Sequence, residues 1–72
     1  MKRWTAREVL ARITALGGEV VRQRGSHIRV RCGGCFTTVP DHGPHELPIG
    51  TMRAIERDLE PALGASWLRD SH

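Results

Sequence analysis

Two glycine-bearing breaks set eight residues apart, Gly25-Ser26 and Gly33-Gly34, constrain this chain more than any other feature. Each has the composition of a two-residue hairpin turn, because glycine reaches the positive φ that such turns demand. They divide the stretch between Gly18 and Pro40 into three short strands, the last ended by Pro40. A turn at Gly25-Ser26 places Arg24 opposite His27, Arg22 opposite Arg29 and Val21 opposite Val30. A turn at Gly33-Gly34 places Cys32 opposite Cys35, Val30 opposite Thr37 and Ile28 opposite Val39. Successive side chains alternate between faces. One face therefore collects Val21, Gln23, Ile28, Val30, Cys32, Cys35, Thr37 and Val39, and should meet the helices. The other collects Arg22, Arg24, His27, Arg29, Arg31, Phe36 and Thr38. A slip of one residue in either turn would exchange these sets.

Helices flank the strands. Thr5-Ala6-Arg7-Glu8 fits a capping box with Thr5 as N-cap, and Trp4 with Val9 supplies the two halves of a hydrophobic staple. Val9, Leu10, Ile13 and Leu16 form one apolar stripe at helical spacing. Gly17-Gly18 stops this first helix, which covers about Ala6 to Leu16. Asp41 to Pro48 reads as loop. A second helix starts near Gly50 or Thr51, with Met52, Ile55 and Leu59 as its stripe, and Pro61 breaks or bends it. Ala62, Leu63, Trp67 and Leu68 suggest a closing turn over the core. The fold class is α+β, in the order α-β-β-β-α, a three-stranded antiparallel sheet with both helices on one face.

A chain of 72 residues builds one domain with one modest core. Its 39% hydrophobic content is too high for a disordered chain. No apolar run approaches the ~20 residues that span a bilayer. Met1-Lys2-Arg3-Trp4-Thr5 leads directly into the amphipathic pattern, without an apolar signal-peptide core, so the expected location is the cytoplasm, with no membrane partner. The formal net charge of +3 is unevenly placed: residues 1–39 carry eight Lys and Arg against two acidic residues, and residues 40–72 carry three against six. An acidic partner for the first half follows from that asymmetry.

Arg22 facing Arg29 across a hairpin is unfavourable in water, and Arg24 and Arg31 add to the same field. A face that keeps four arginines matches a phosphate backbone, which the guanidinium fork grips well. His27 is the one histidine that alternation assigns to this face. Imidazole moves protons near neutral pH. Ser26 and the backbone N–H groups of the turn can orient an anionic oxygen, and the arginines can neutralise charge on a pentavalent phosphorane. RNA carries its own nucleophile, the 2′-hydroxyl, so an enzyme needs only a base, an acid and a clamp. No second proton carrier stands near His27 in sequence. A Mg²⁺ route is disfavoured because the basic face lacks carboxylates.

Cys32-Gly33-Gly34-Cys35 followed by His42 and His45 has the spacing of a zinc signature. If Cys35 to Pro40 is a strand, His42 lies roughly 20 Å from Cys35 at ~3.3 Å per residue. It then stands at the His27 end of the sheet, away from the cysteines. The reading is therefore no metal and no cofactor, with the cysteines a reduced pair at the core and His42 available to RNA.

Taken together, Gly17-Gly18 after an amphipathic helix, Arg22-Gln23-Arg24-Gly25-Ser26-His27, Thr38-Val39-Pro40-Asp41-His42 and Glu46-Leu47-Pro48-Ile49-Gly50-Thr51 resemble the HicA-type toxins of bacterial toxin–antitoxin systems over nearly the whole chain. The resemblance implies a double-stranded-RNA-binding-like fold and a ribosome-independent mRNA endonuclease with His27 as its single catalytic histidine. It also implies a HicB-type antitoxin that binds over the toxin and occludes His27. The Cys-Gly-Gly-Cys hairpin and the tail at Trp67 depart from that family's pattern. The expected RNA-binding set is Arg22, Arg24, Gly25, Ser26, Arg29, Arg31 and His42, on a toxin that is monomeric alone. A non-catalytic RNA-binding module of the same fold is the alternative, and a small zinc ribbon is a third reading.

Overall fold

The computed structural model describes residues 2–69. Helix α1 (Ala6–Ala15) is followed by strands β1 (Glu19–Arg24), β2 (His27–Cys32) and β3 (Cys35–Pro40) and by helix α2 (Ile49–Leu63). The strands form an antiparallel sheet in the order β1-β2-β3. This is the expected α-β-β-β-α arrangement.

Helix α1 opens on the expected capping box. Thr5 Oγ1 accepts from the Glu8 amide at 3.2 Å, and the Thr5 amide donates to Glu8 Oε1 at 2.9 Å. Two of the four orphan amides of the first turn are thereby satisfied. The helix ends one residue short of expectation, with Leu16 as its C-cap and more than a third exposed. Gly18 N–H donates to the Ile13 carbonyl and Gly17 N–H to that of Thr14, the paired bonds of a Schellman motif, with Gly17 at φ +98°. Gly18 has a steric reason as well: a Cβ there would lie 2.4 Å from Ile13 Cγ2.

Both hairpin turns fall where the glycines place them. Gly25 takes φ +57° at the first central position, and Gly33 and Gly34 are both at positive φ. Every expected pairing between β2 and β3 is present. Between β1 and β2, Arg24 faces His27 and Arg22 faces Arg29, but Val20, not Val21, faces Val30. A β-bulge between Val20 and Arg22 absorbs the extra residue. It also moves Glu19 into register with Arg31.

The core is one cluster under the sheet. Ile28, Val30, Cys32, Thr37 and Val39 supply the sheet side. Val9, Ile13, Met52, Ile55 and Leu59 supply the helix side, so both helices pack on the same face. Strand β1 departs from expectation. Val21 and Gln23 alternate toward the helices yet are exposed, because the helices cover β2 and β3 and leave the β1 edge bare. Leu47 is fully buried and its amide donates to the Trp4 carbonyl at 2.8 Å, which pins the loop after β3 to the start of the chain.

Pro61 neither breaks nor ends α2, which runs through it to Leu63. The missing N–H would have bonded the Arg57 carbonyl, and both residues are exposed, so the lost bond falls on the solvent side of the helix. The following turn closes the core as expected. Trp67 and Leu68 are buried, and Trp67 Nε1 donates to the Glu56 carbonyl at 2.8 Å. The Glu56 carboxylate, itself buried, accepts from Arg69, with a closest ion-pair distance of 3.0 Å. No helix among the described residues is long and apolar enough to cross a membrane.

Candidate functional site

The first hairpin turn carries the candidate site. Gln23 Nε2 donates to the Gly25 carbonyl at 3.1 Å and braces the turn from one side. From the other side the Asp41 amide donates to the Ser26 carbonyl at 2.6 Å, tying the turn to the end of β3. His27 begins β2 between two cross-strand neighbours, Arg24 and Pro40. Its imidazole is exposed and makes no hydrogen bond or ion pair among the described residues. The Ser26 hydroxyl is equally free.

One step along the ladder on the same face stands the Arg22–Arg29 pair. Arg29 is held in place: Nη1 donates to Thr38 Oγ1 at 3.1 Å, and its guanidinium lies 5.3 Å from the centroid of the Phe36 ring. The ring face is electron-rich and attracts the cation. Arg22 and Arg24 have no partner among the described residues. Arg31 is different. It pairs with the Glu19 carboxylate across the strands. Without the bulge, alternation would turn Glu19 toward the helices; the inserted residue returns it to the outer face. The sequence reading of a face without carboxylates is corrected at this point.

The structure thus gathers His27, Ser26, Arg22, Arg24 and Arg29 at one end of the exposed face, with Arg31 neutralised toward the other end. His42 lies in the loop two residues beyond Pro40, at the His27 end, on an exposed turn shaped by Asp41 Oδ1 accepting from the Gly43 amide at 2.8 Å. The site's two unanticipated members are Glu19 and the Phe36 platform. Phe36 was already on the right face by alternation, so its contact with Arg29 was within reach. Glu19 was hidden by the bulge. Cys32 and Cys35 face one another across the second turn as free thiols, at the end of β3 opposite to His42. Among the described residues, no group of three or more His, Cys, Asp and Glu side chains is placed to hold a metal ion.

An exposed proton carrier beside three uncommitted or pre-positioned guanidinium groups is suited to binding a phosphodiester and moving a proton at it. The model of a family described as the HicA toxin of bacterial toxin–antitoxin matches residues 6–60, from the first residue of α1 to the last turns of α2. Neither a curated protein nor a solved structure matches the chain.

Proposed function

This chain belongs to the HicA family of bacterial toxins, whose members are generally ribonucleases, and we propose that it is a ribosome-independent, metal-independent mRNA endonuclease acting in the cytoplasm through His27. The observation that carries the reading is the juxtaposition of an unpartnered His27 with Arg24 directly across the ladder and the Arg22–Arg29 pair beside it. The scissile phosphate sits among Arg22, Arg24 and Arg29. The 2′-hydroxyl of the preceding nucleotide attacks phosphorus; its oxygen–phosphorus bond forms as the bond to the 5′-oxygen breaks. His27 removes the proton from the nucleophile or delivers one to the leaving oxygen, and water serves the opposite role. The guanidinium groups neutralise the extra charge on the phosphorane, where fixed donors are worth most. Gly25 lets the turn approach the backbone closely, Ser26 donates to a phosphate oxygen, and His42 contacts the neighbouring nucleotide. Arg31, shared with Glu19, gives a weaker outlying phosphate contact.

Metal independence is part of the proposal because Glu19 is paired with Arg31, and Asp41 at the His27 end has no further His, Cys, Asp or Glu side chains placed with it, among the described residues, to form a ligand set. The family implies an antitoxin partner, and the proposed docking is that of a HicB-type protein with an acidic segment laid over the basic face, occluding His27 on a monomeric toxin. The test is incubation of pure protein with labelled RNA in EDTA, with and without the partner. Cleavage in EDTA that the partner abolishes supports the reading. RNA that is retarded on a gel but stays intact favours the alternative, a non-catalytic RNA-binding module.

A further inference from the structure

A groove of about 510 Å³ opens between the start of α1 and the loop after β3, lined by Thr5, Arg7, Leu10, Asp41, Gly43 and Pro44. That volume suits a small ligand such as one nucleotide. Its position is not arbitrary. Asp41 in the groove wall bonds the Ser26 carbonyl through its amide and follows Pro40, the cross-strand partner of His27. The groove therefore continues the sheet end on which the histidine stands.

The lining has the chemistry of a base-binding site. Leu10 and the Pro44 ring offer apolar surface for the flat face of a base. Arg7 is exposed, has no partner among the described residues, and forms no ion pair with Asp41 across the groove. It is free to take a phosphate or the base plane. Asp41 spends Oδ1 on the Gly43 amide, which leaves Oδ2 as an acceptor in a groove where, among the described residues, Arg7 is the lining cation. A carboxylate repels phosphate, so the group that meets Asp41 is a hydrogen-bond donor. The exocyclic amines of adenine, cytosine and guanine are such donors, whereas uracil offers only its ring N3–H, flanked by two carbonyl oxygens that repel a carboxylate.

We propose that this groove receives the base of a nucleotide flanking the cleaved phosphate, with Arg7 on the adjoining backbone and Asp41 selecting an amino-bearing base over uracil. The inference rests on the endonuclease reading above and adds a specificity-determining residue to it.

The test follows amide chemical shifts of the full chain during titration with adenosine, cytidine, guanosine and uridine monophosphates, and compares cleavage of short RNAs that differ at one flanking position. The three amino-bearing nucleotides are expected to move the Leu10, Asp41 and Gly43 resonances, with uridine monophosphate about tenfold weaker, the scale of one base contact. Asp41→Asn keeps the bond to the Gly43 amide but replaces the free oxygen by an amide donor, so the preference should turn toward uracil. Arg7→Ala should weaken all four about equally. Shifts confined to the β2 residues, or an unchanged base order in Asp41→Asn, would overturn the groove assignment. Base-selective shifts here with no cleavage of any RNA would leave the groove standing and remove the nuclease reading.

Discussion

Glu19 and Arg31 pair across the β1–β2 ladder on the exposed face of the sheet, brought into register by the single bulge between Val20 and Arg22. The pair divides the basic face in two. Toward the first turn, Arg22, Arg24 and Arg29 have no carboxylate partner among the described residues. Toward the second turn, Arg31 is half-exposed and already neutralised. An exposed pair of this kind contributes little stability, so its larger effect is to leave the unpaired positive charge of this face at the His27 end.

That division sets unequal roles for four arginines. Arg29→Ala should weaken RNA binding about tenfold at low salt, the loss of a charge-assisted contact. It should also lower the slope of log affinity against log salt by about 0.7 for a single strand. Arg22→Ala and Arg24→Ala should behave alike. Arg31→Ala should change affinity by less than about twofold. Fluorescence anisotropy across a salt series measures both quantities.

Phe36 should matter for RNA and not for folding. It is 44% exposed and serves as the platform under Arg29. Phe36→Ala removes a contact of about 0.5–1 kcal/mol at an exposed site, so affinity should fall about two- to fivefold. The unfolding midpoint should stay near that of the parent. Parallel binding and denaturation curves check this.

Trp67 lies outside the matched family segment, yet it closes the core. It is 3% exposed and its indole donates to the Glu56 carbonyl. Trp67→Ala should cost about 3–5 kcal/mol in denaturant unfolding, a large share of the stability of a domain this size. A loss under about 1 kcal/mol would show that the tail is an appendage.

The capping box gives a pH dependence of known sign. The Thr5 backbone amide is the main cause that holds the Glu8 carboxyl below its ordinary 4.5; desolvation opposes it in part, and the Thr5 hydroxyl and the Lys2 charge add smaller lowering effects. A folded-state value below the unfolded one means the carboxylate contributes stability above pH 4.5, and that contribution is lost as pH falls through the lowered folded value. Glu8→Gln keeps a side chain that can complete the box and should flatten that acid limb. Thermal melts between pH 3 and pH 6 give the comparison.

The two glycine turns were enough to write the β2–β3 register and most of β1–β2, because a two-residue turn leaves no slack in the pairing. His27 could therefore be assigned a face from sequence. The bulge at Val21 could not, since it is a property of a strand edge that the helices leave uncovered. With it went the outward turn of Glu19 and the exposure of Val21 and Gln23. Of the two effects expected of Pro61, a break or a bend, the break does not occur: the proline stands in the last turn of α2, where few backbone bonds remain to be lost. The groove beside α1 was invisible because Arg7 and Asp41 stand 34 residues apart and come to line one groove only through the fold.

The most direct measurement is the RNA cleavage rate of His27→Ala beside its RNA affinity and its unfolding midpoint. The side chain is exposed and unpartnered, so fold and affinity should stay near parental values while the rate falls at least about a hundredfold, the typical yield of general acid–base catalysis. Cleavage at the parental rate by a folded His27→Ala chain would contradict the account.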